Sequence, residues 1–594
     1  MNTNKYKVLK DFFGHNSFRE LQEEGIDAIL NKQDLLMILP TGGGKSLVYQ
    51  LPTLLKDGVS IVISPLIALM QDQVTSLKAQ GIESEMISSV QTQDEIEEVL
   101  YLLRMKRLKF LYLSPERLNT QWTYELLKTL DINFFVIDEA HCISQWGHEF
   151  RDSYRALGNL KYNFPEIPVC AFTATSTENV THDIIHQLQL QNPLLLRGKI
   201  FRKNIHISAQ RRIENGYTQL QNFLSNHSTE SGIIYVSSRK KAEELSSYLN
   251  MKGYKSLAYH AGMPNHTREQ NFIMFVNDKI KIMVATIAFG MGIDKADIRF
   301  VAHMALPKSL ENYYQEIGRA GRDGEASEAF LLFNASDIMI QKQFLHTIEN
   351  ESYKKHLDEK LDTIYTYATG EICFHQQIAN YFNDSIETCK DRCENCLNSD
   401  APRKEITKET QMVLSTIYKT SQTFGKNYIV DVLRGSKEQK LLSNHADKLS
   451  VYGIGKQLSK KEWFVIIERL LELKIITLGE YSSLQLSSDA IDILKSKKSV
   501  DIKSSRLQIN SKRSKNLQLD DIDYDKELFE KLRAKRAQLA EELSVPAYII
   551  FGDKTLKHLA QIKPHNKETM LQINGVGMKK FEQYGSEFLD LIQS

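Results

Sequence analysis

The first 200 residues alternate short apolar runs with segments whose apolar positions recur every three to four residues. The runs are residues 35–39, 60–63, 110–113, 134–137 and 169–172, followed in the next stretch by 232–236, 281–285, 300–303 and 329–333. Short buried strands that alternate with helices are typical of α/β sheets. The pattern therefore predicts two consecutive α/β lobes, with the basic stretch 197–204 between them.

Beyond the lobes the pattern changes. Residues 340–400 have a helical pattern, and residues 405–495 combine helices with a late pair of apolar runs. That pair, 474–478 and 483–486, predicts a β-hairpin. A predicted helix over 460–473 precedes it, which gives the order of helix and then hairpin.

Length and composition restrict the class of protein. A chain of 594 residues is too long for one core, and 42% apolar with 25% charged residues is ordinary for globular domains. A net charge of +1 means that any contact with nucleic acid must come from local basic patches. The N-terminus lacks the apolar core of a signal peptide, and no apolar run reaches membrane-spanning length. We therefore expect a cytoplasmic protein without membrane contact.

A glycine-rich segment follows the first apolar run: Leu39-Pro40-Thr41-Gly42-Gly43-Gly44-Lys45-Ser46. A strand, a glycine loop and a helix beginning near Lys45 would direct backbone N–H groups at phosphates. Lys45 can reach the β- and γ-phosphates, and the Ser46 hydroxyl can join a Mg²⁺ shell. By itself, such a loop can also be an ordinary turn between a strand and a helix.

A second motif, Asp138-Glu139-Ala140-His141, follows the apolar run 134–137. Asp138 would bind the same Mg²⁺ as Ser46, and Glu139 is the candidate base for the attacking water. Two such motifs at strand ends of one sheet favour a site that binds and hydrolyses a nucleoside triphosphate.

Four of the six cysteines lie close together: Cys373, Cys389, Cys393 and Cys396. In a cytosolic chain this clustering favours a metal over disulfides, and four thiolates suit tetrahedral Zn²⁺. Because four thiolates leave no open position, the zinc would be structural rather than catalytic. His375 is a less favoured substitute ligand.

Taken together, these residues resemble the RecQ family of DNA helicases over essentially the full chain. In the first lobe the matching segments are Phe18-Arg19-x-x-Gln22, Ser64-Pro65-Leu66, Ser114-Pro115-Glu116-Arg117, Thr173-Ala174-Thr175 and the aromatic-rich loop Cys142 to Arg151. In the second lobe they are Tyr259 to Gly262, Ala285 to Asp294 and Tyr314 to Asp323. Leu39 stands where the general phosphate-loop pattern has glycine, a variant similar to the helicase form of the loop.

The resemblance implies roles in the ATP site. Arg19 and Gln22 would bind adenine, and Thr41, Gly42, Gly43 and Gly44 would surround the phosphates with Lys45 and Ser46. His141, Gln315, Arg319 and Arg322 would join Lys45, Asp138 and Glu139 in catalysis. Arg322 would be the arginine finger, which stabilises charge on the γ-phosphate oxygens. The alternative is that both arginines form surface salt bridges.

The resemblance also implies DNA contacts, from Ser64, Trp146, His148, Phe150, Arg151, Arg434 and Tyr481. Trp146 and Phe150 would stack on bases a few residues from Glu139, so DNA binding could reposition this acid. A core position for Trp146 is the alternative. Tyr481, at the hairpin tip, is either a wedge against the terminal base pair or a solvent-exposed turn residue.

The implied fold is α/β, with two RecA-like parallel-sheet motor lobes, a helical zinc-binding module, a winged-helix domain and a small all-α C-terminal domain. The expected boundaries are 1–203 and 204–340 for the lobes, 341–404 for the zinc module, 405–495 for the winged helix, 496–520 for a basic linker and 521–594 for the accessory domain, which is similar to HRDC. Residues 495–515 carry eight Lys or Arg and one acidic residue, so the linker is expected to be a flexible tether. The zinc segment departs from the family by having three residues, rather than two, between its second and third cysteines.

The expected function is an ATP-dependent DNA helicase that moves 3′ to 5′ and serves recombination and repair, with ATP, Mg²⁺ and Zn²⁺ as cofactors. Its expected partners are single-stranded, tailed or forked DNA, single-strand-binding protein and recombination or repair proteins, in the cytoplasm at the nucleoid. Two alternatives remain open: an RNA helicase or a duplex translocase that does not separate strands, and a zinc and winged-helix binding protein or regulator with a vestigial motor. Intact Lys45, Asp138, Glu139 and Arg322 argue against the regulator.

Overall fold

The computed structural model describes residues 2–88, 90–144, 151–287, 289, 295–345, 347–479, 483–504, 524–543 and 545–593. The described residues form two compact units. One lies within 1–337, 378–387 and 519–594, and the other within 338–377 and 388–518. Within the described ranges, none of the helices has the length and apolar character needed to span a bilayer.

The first lobe is a seven-stranded parallel sheet in the order β3-β4-β2-β5-β6-β1-β7. Its strands are β1 Leu35–Ile38, β2 Val59–Ile63, β3 Ser84–Ile87, β4 Phe110–Leu113, β5 Ile132–Ile137, β6 Val169–Thr173 and β7 Leu194–Arg197. Its helices are α1 Asn2–Phe13, α2 Gln22–Leu30, α3 Lys45–Leu54, α4 Ile67–Ala79, α5 Gln93–Arg104, α6 Pro115–Leu118, α7 Gln121–Lys128, α8 Asn159–Asn163 and α9 Glu178–Gln187. Successive residues of a strand enter opposite cores, so that Leu36 and Ile38 lie in one core and Leu35 and Met37 in the other.

The second lobe is a six-stranded parallel sheet in the order β10-β11-β9-β12-β13-β8. Its strands are β8 Ile205–Arg211, β9 Ser231–Tyr235, β10 Ser256–Tyr259, β11 Ile282–Ala285, β12 Ile298–His303 and β13 Ser327–Phe333. Its helices are α10 Tyr217–Leu224, α11 Arg239–Met251, α12 Asn265–Val276 and α13 Leu310–Ile317. The two predicted parallel α/β lobes are therefore confirmed.

The segment between the second lobe and the C-terminal helices, most of which belongs to the second unit, forms helices and two small antiparallel ladders. Its helices are α14 Ala335–Leu345, α15 Glu351–Thr369, α16 Phe374–Tyr381, α17 Glu394–Leu397, α18 Thr407–Lys419, α19 Lys426–Arg434, α20 Gln439–Ser443, α21 Lys460–Glu472 and α22 Ala490–Leu494. Its strands are β14 Arg403–Glu405, β15 Ile476–Leu478, β16 Leu484–Leu486 and β17 Asp501–Lys503. The predicted hairpin is confirmed as the β15–β16 pair, directly after α21.

The predicted linker, residues 496–520, does not begin as a flexible tether. Residues 501–503 form β17, which pairs with β14, and the Val500 and Ile502 side chains lie in the core of this unit. Two apolar residues that alternate with Asp501 were enough to form an edge strand, although the segment as a whole is rich in lysine. Most of the remaining stretch, residues 505–523, lies outside the described residues.

The C-terminal helices are α23 Lys526–Glu542, α24 Ala547–Ile550, α25 Asp553–Ile562, α26 Lys567–Leu571, α27 Met578–Lys580 and α28 Ser586–Gln593. They have a core of their own, in which Phe551 packs edge-on against Tyr584 and Phe588. They belong to the same compact unit as the two lobes. The predicted all-α C-terminal domain is confirmed.

Candidate active site and nucleic-acid interface

The loop between β1 and α3 forms a cradle for phosphates. β1 is buried throughout, and residues 41–44 lead into α3, which begins at Lys45. Gly42 and Gly44 have φ of 79° and 80°, a left-handed conformation that glycine adopts without strain. The Lys45 ammonium donates to the carbonyl oxygen of Leu39 at 2.9 Å, so it lies within the loop. The N–H groups of the first turn of α3 and this ammonium can together bind phosphate oxygens.

Arg19 and Gln22 lie against this loop. The Arg19 guanidinium donates to the carbonyl oxygen of Gly42 at 2.6 Å. The Gln22 amide is buried, accepts from the Arg19 backbone N–H at 2.8 Å and donates to the Gly44 carbonyl oxygen at 3.1 Å. Both predicted adenine-binding residues are thus brought to the phosphate loop. Their contact with adenine stays a prediction.

Asp138 and Glu139, at the end of β5, share the site of Lys45. Burial, together with repulsion from Glu139, raises the pKa of Asp138 to about 7, against the opposing charge of Lys45. Burial likewise lowers the pKa of Lys45, while the charges of Glu139 and Asp138 counteract this shift. These mutual effects show that the glycine loop and the acidic pair form one electrostatic site.

This site fits Mg²⁺. A buried carboxylate whose pKa is raised by desolvation and by a like charge is stabilised by a divalent cation. The Ser46 hydroxyl, in the first turn of α3, has no hydrogen-bond partner in the described part of the chain. Asp138 and Ser46 are therefore the residues that would hold the ion.

His141 connects the candidate base to the neighbouring strand. Glu139 has a φ of 48°, an uncommon conformation for a non-glycine residue, and its Oε2 lies 3.3 Å from His141 Nδ1. The same His141 nitrogen lies 2.9 Å from Thr173 Oγ1, at the end of β6, and the imidazole is buried. A displacement of either strand end would therefore move Glu139.

The aromatic-rich loop is described only at its ends. Residues 145–150 lie outside the described residues, so the DNA contacts of Trp146, His148 and Phe150 stay predictions. At the far end, the Arg151 guanidinium donates to the Pro65 carbonyl oxygen at 2.7 Å. Ser64 is next to it in the chain, but its side chain is only 1% exposed. The structure thus brings Arg151 to the Ser64 segment and buries the hydroxyl that was expected to contact DNA.

The loop after α13 in the second lobe packs on the phosphate loop of the first. A Cβ atom placed on Gly42 would lie 3.3 Å from the Arg322 Cα atom, and one placed on Gly318 would lie 3.3 Å from Thr41 Oγ1. The positive charge of Arg322 also acts on Lys45. Residues of both lobes therefore meet at the phosphate cradle, as the finger role of Arg322 requires.

The other two candidates from this segment lie deeper in the second lobe. Gln315 is half-buried on α13. Arg319 is 6% exposed, and its charge acts on the hydroxyl of Tyr235 at the end of β9. Their catalytic roles stay predictions.

Arg202 is a residue that the sequence reasoning missed. It lies in the connection between the lobes, where we predicted only a basic stretch. Its guanidinium donates to the Thr41 carbonyl oxygen on one side and to the Gly321 and Ala320 carbonyl oxygens, at 2.8 and 3.2 Å, on the other. One side chain thus links the phosphate loop to the segment that carries Arg322. A single arginine in a basic connector gives no sequence signal for such a contact.

The four predicted zinc ligands converge. The sulfur atoms of Cys373, Cys389, Cys393 and Cys396 lie within 4.8 Å of one another, with pairs at 3.6 and 3.9 Å. A tetrahedral ion with Zn–S bonds of about 2.3 Å needs sulfur atoms about 3.8 Å apart, so the cluster fits Zn²⁺. The imidazole of His375 contacts the Arg392 carbonyl oxygen at 3.1 Å and is not in the cluster. The extra residue between Cys389 and Cys393 is therefore tolerated.

The winged-helix residues are only partly placed. Arg434 is exposed at the C-terminal end of α19, and its guanidinium forms no ion pair with the residues that the structure describes. This position suits a phosphate contact. Tyr481 lies outside the described residues, so its wedge role stays a prediction.

The C-terminal helices contact both lobes. Arg533 and Arg536 of α23 form ion pairs with Asp278 of the second lobe at 3.2 and 3.4 Å. The Tyr548 hydroxyl donates to Asp72 of the first lobe at 3.0 Å. The accessory domain therefore packs against the motor rather than hanging free of it.

Five family models match the chain in order. They are the DEAD/DEAH box helicase over residues 19–183, the helicase conserved C-terminal domain over 215–324, the RecQ zinc-binding domain over 335–397, the RQC domain over 401–511 and the HRDC domain over 525–592.

Curated relatives match nearly end to end. A protein named ATP-dependent DNA helicase RecQ from Haemophilus influenzae is 43% identical over 593 residues, which cover 99% of this chain and 95% of that protein. Proteins of the same name from Pasteurella multocida and Bacillus subtilis are 41% and 39% identical, again over 99% of this chain and over 93% and 98% of theirs.

Proposed function

The chain belongs to the RecQ family of ATP-dependent DNA helicases, and from this premise we propose that it couples ATP hydrolysis to 3′-to-5′ movement on single-stranded DNA and to duplex unwinding. One observation carries the proposal: the phosphate loop and acidic pair of one lobe meet the arginine segment of the other. A site divided between two lobes opens and closes as nucleotide binds and leaves. Such closure is how a motor converts hydrolysis into displacement.

For the hydrolysis step, we assign the following roles. The loop N–H groups and Lys45 hold the phosphates, and Glu139 orients and deprotonates the attacking water. Arg322 stabilises the negative charge that spreads over the γ-phosphate oxygens. Bound Mg²⁺, held by Asp138 and Ser46, would neutralise phosphate charge.

For coupling, we infer that DNA bound near the aromatic-rich loop acts on Glu139 through two connections. Arg151 holds one end of that loop to Pro65, and the backbone N–H of Arg151 donates to the Cys142 carbonyl oxygen at 2.9 Å. Cys142 directly follows His141, which contacts Glu139 and Thr173. Strain at Glu139, with its φ of 48°, would be relieved or increased by small shifts of this segment.

The zinc site supplies stability rather than chemistry. We propose that four thiolates hold one Zn²⁺ per chain and that Cys393→Ser lowers the zinc content and the melting temperature of the second unit. Cys142→Ser is the matched control, since Cys142 is a buried thiol outside the cluster. Metal analysis of purified protein checks both variants. Unchanged zinc in Cys393→Ser would contradict the assignment.

We further propose a role in recombination and repair, at the nucleoid, with single-strand-binding protein and repair proteins as partners. We also propose the domain boundaries expected from sequence, with the winged-helix domain extended through Lys503, an extension that the pairing of β17 with β14 supports.

The first experiment measures ATP hydrolysis without nucleic acid, with single-stranded DNA and with RNA, beside a Lys45→Ala control. We expect strong stimulation by DNA and not by RNA, and then unwinding of a duplex with a 3′ tail but not of one with a 5′ tail. Equal stimulation by RNA would favour an RNA helicase. Absence of hydrolysis in every condition would favour the binding protein or regulator.

A further inference from the structure

A groove of about 740 Å³ lies on the first lobe, away from the nucleotide. One wall is α5, which contributes Glu97, Tyr101 and Arg104, and the other contains Arg117 and Trp122 from α6 and α7. Neither the hydrolysis site nor the aromatic-rich loop includes it. Its lining combines aromatic rings with guanidinium groups.

Two aromatic rings of the groove are open to solvent. Tyr101 is 56% and Trp122 43% exposed, and both line the same groove, so a ligand in the groove can contact both rings. The Arg117 guanidinium lies 4.9 Å from the centre of the Trp122 ring, which holds that ring in place from one side. The other face of the indole can receive a flat ligand.

Two arginines of the groove have hydrogen-bonding or charge-pairing groups that the described residues do not use. Arg117 Nε is buried without a hydrogen-bond partner in the described chain, and Arg104 forms no ion pair with any described residue. Glu97 is the one carboxylate among the lining residues that the structure describes. The groove therefore has a net positive charge, together with one acceptor that can receive an N–H group of a base.

The sheet order places this groove near the carboxyl ends of the neighbouring strands β5, β2 and β4. β4 pairs with β2 so that Leu113 lies beside Ile63, and Ser114 and Ser64 follow these residues at adjacent strand ends. The acidic pair follows β5, on the other side of β2. Arg117, three residues after Ser114, and the groove beside it therefore lie on the opposite side of β2 from the acidic pair.

We propose that this groove binds one nucleotide of the single strand where it leaves the first lobe, with the base stacked on Trp122 and the phosphate on Arg104. The proposal rests on the proposed function as a DNA motor. Stacking on exposed aromatic rings and phosphate contacts from arginine are how proteins bind single strands without reading sequence. Such a contact would strengthen DNA binding without contacting ATP.

Oligonucleotides of increasing length test the site. Oligo-dT of about 6, 12, 18 and 24 nucleotides is titrated into wild type, Trp122→Ala, Tyr101→Ala and Arg104→Ala. We expect the shortest oligonucleotide to bind all four proteins equally, and the longest to bind Trp122→Ala about tenfold more weakly. Arg104→Ala should reduce the slope of log affinity against log salt by about 0.7. Tyr162→Ala is the matched control, since that tyrosine is 83% exposed on the same lobe but outside the groove.

A cross-link locates the contact directly. A 5-iododeoxyuridine is moved along the 24-nucleotide strand, and the cross-linked peptide is identified by mass spectrometry. We expect a link to Trp122 or Tyr101 from positions near one end only. Unchanged affinity at every length, with no such link, would overturn the proposal and leave the groove as a site for a protein segment. Loss of DNA binding by wild type would instead contradict the proposed function.

Discussion

The two lobes share the order of six parallel strands, to which the first lobe adds β7, but the loops that follow corresponding strands differ in use. β1 lies beside β6 in the first lobe, and β8 lies beside β13 in the second, so β1 and β8 occupy corresponding positions. After β1 comes the glycine loop with Lys45. After β8 comes Arg212, whose guanidinium is paired with Asp337 at 2.6 Å in a buried ion pair. The first loop is the proposed phosphate cradle, and the second contains an ion pair within its own lobe.

The next pair of strand ends shows the same difference. β5 ends at the acidic pair, Asp138 and Glu139, whereas β12 ends at His303, which pairs with Glu316 at 2.7 Å inside the lobe. The second lobe thus uses its charged strand-end residues for packing, whereas Arg322, which follows α13, lies beside the phosphate loop of the first lobe. The comparison teaches that the fold supplies equivalent positions, while the residue types at strand ends decide which lobe binds the nucleotide.

The largest effects are expected when the charged residue after the corresponding strand is removed in each lobe, Lys45 in the first and Arg212 in the second. Lys45→Ala should lower DNA-stimulated turnover of ATP by about 10³-fold or more, because the phosphates lose their cation, with little change in melting temperature. Arg212→Ala should leave turnover per folded molecule unchanged but lower the free energy of unfolding of the second lobe by about 3 kcal/mol, since Asp337 becomes an unpaired buried charge. Steady-state hydrolysis and thermal unfolding measure the two effects. A large loss of turnover in stable Arg212→Ala protein would break the comparison.

Arg202 contacts both lobes, so its loss should impair ATP hydrolysis, which we propose requires residues of both. We expect Arg202→Ala to lower the maximal rate of hydrolysis about tenfold and to change the Michaelis constant for ATP much less, since the loop itself remains. Arg202→Lys should restore part of the rate, because one ammonium can reach one of the carbonyl groups. Lys203→Ala, at the exposed neighbouring residue, is the control. A higher Michaelis constant at unchanged rate would assign Arg202 to ATP binding instead.

A smaller effect concerns the packing of the second lobe. Burial lowers the pKa of His227, but ion pairs with Glu230 at 2.6 Å and Glu328 at 3.5 Å outweigh it and raise this pKa to about 9. Because the folded pKa exceeds the ordinary value of 6.5, this stabilisation is complete below that pH and is lost as the pH rises through about 9. The side chains of Glu230 and Glu328 are 40% and 35% exposed, and solvent screening therefore reduces the expected contribution to about 2 kcal/mol.

Melting temperatures of wild type and His227→Gln, measured from about pH 6 to about pH 9.5, isolate this contribution. The advantage of wild type should be largest at the acidic end and should shrink as the pH rises. A constant difference between the two proteins across this range would contradict the assignment.

The strands that the sequence did not predict are the edges of the two sheets. Central strands such as β4 are continuous apolar runs because both faces are buried. β3, β7, β8 and β10 lie at edges and are partly exposed. β3, β8 and β10 mix polar and apolar residues, whereas β7 is a run of only three leucines before Arg197, so none of them gives the long apolar pattern of a central strand. The ends of the central strands, which carry the chemistry, were predicted because burial on both faces gives the strongest pattern.

The same distinction holds within the site. Lys45 and Asp138 belong to local motifs whose spacing is typical of a nucleotide site, and the spacing of the four cysteines is typical of a zinc site. The sequence therefore predicted each of these two groups of residues. Arg202 depends on how two lobes pack, and Ser64 proved to be buried, neither of which local spacing encodes. The ionic contacts of the C-terminal helices with the motor are also long-range and were not predicted.

The central claim is that one ATP site is built from both lobes. It is tested most directly by comparing nucleotide affinity and turnover in Arg322→Ala, the second-lobe residue whose backbone packs against Gly42. We expect affinity for a fluorescent ATP analogue within about threefold of wild type and DNA-stimulated turnover lower by about 10³-fold. Turnover close to that of wild type would show that the first lobe hydrolyses ATP without the arginine of the second, and would contradict the account.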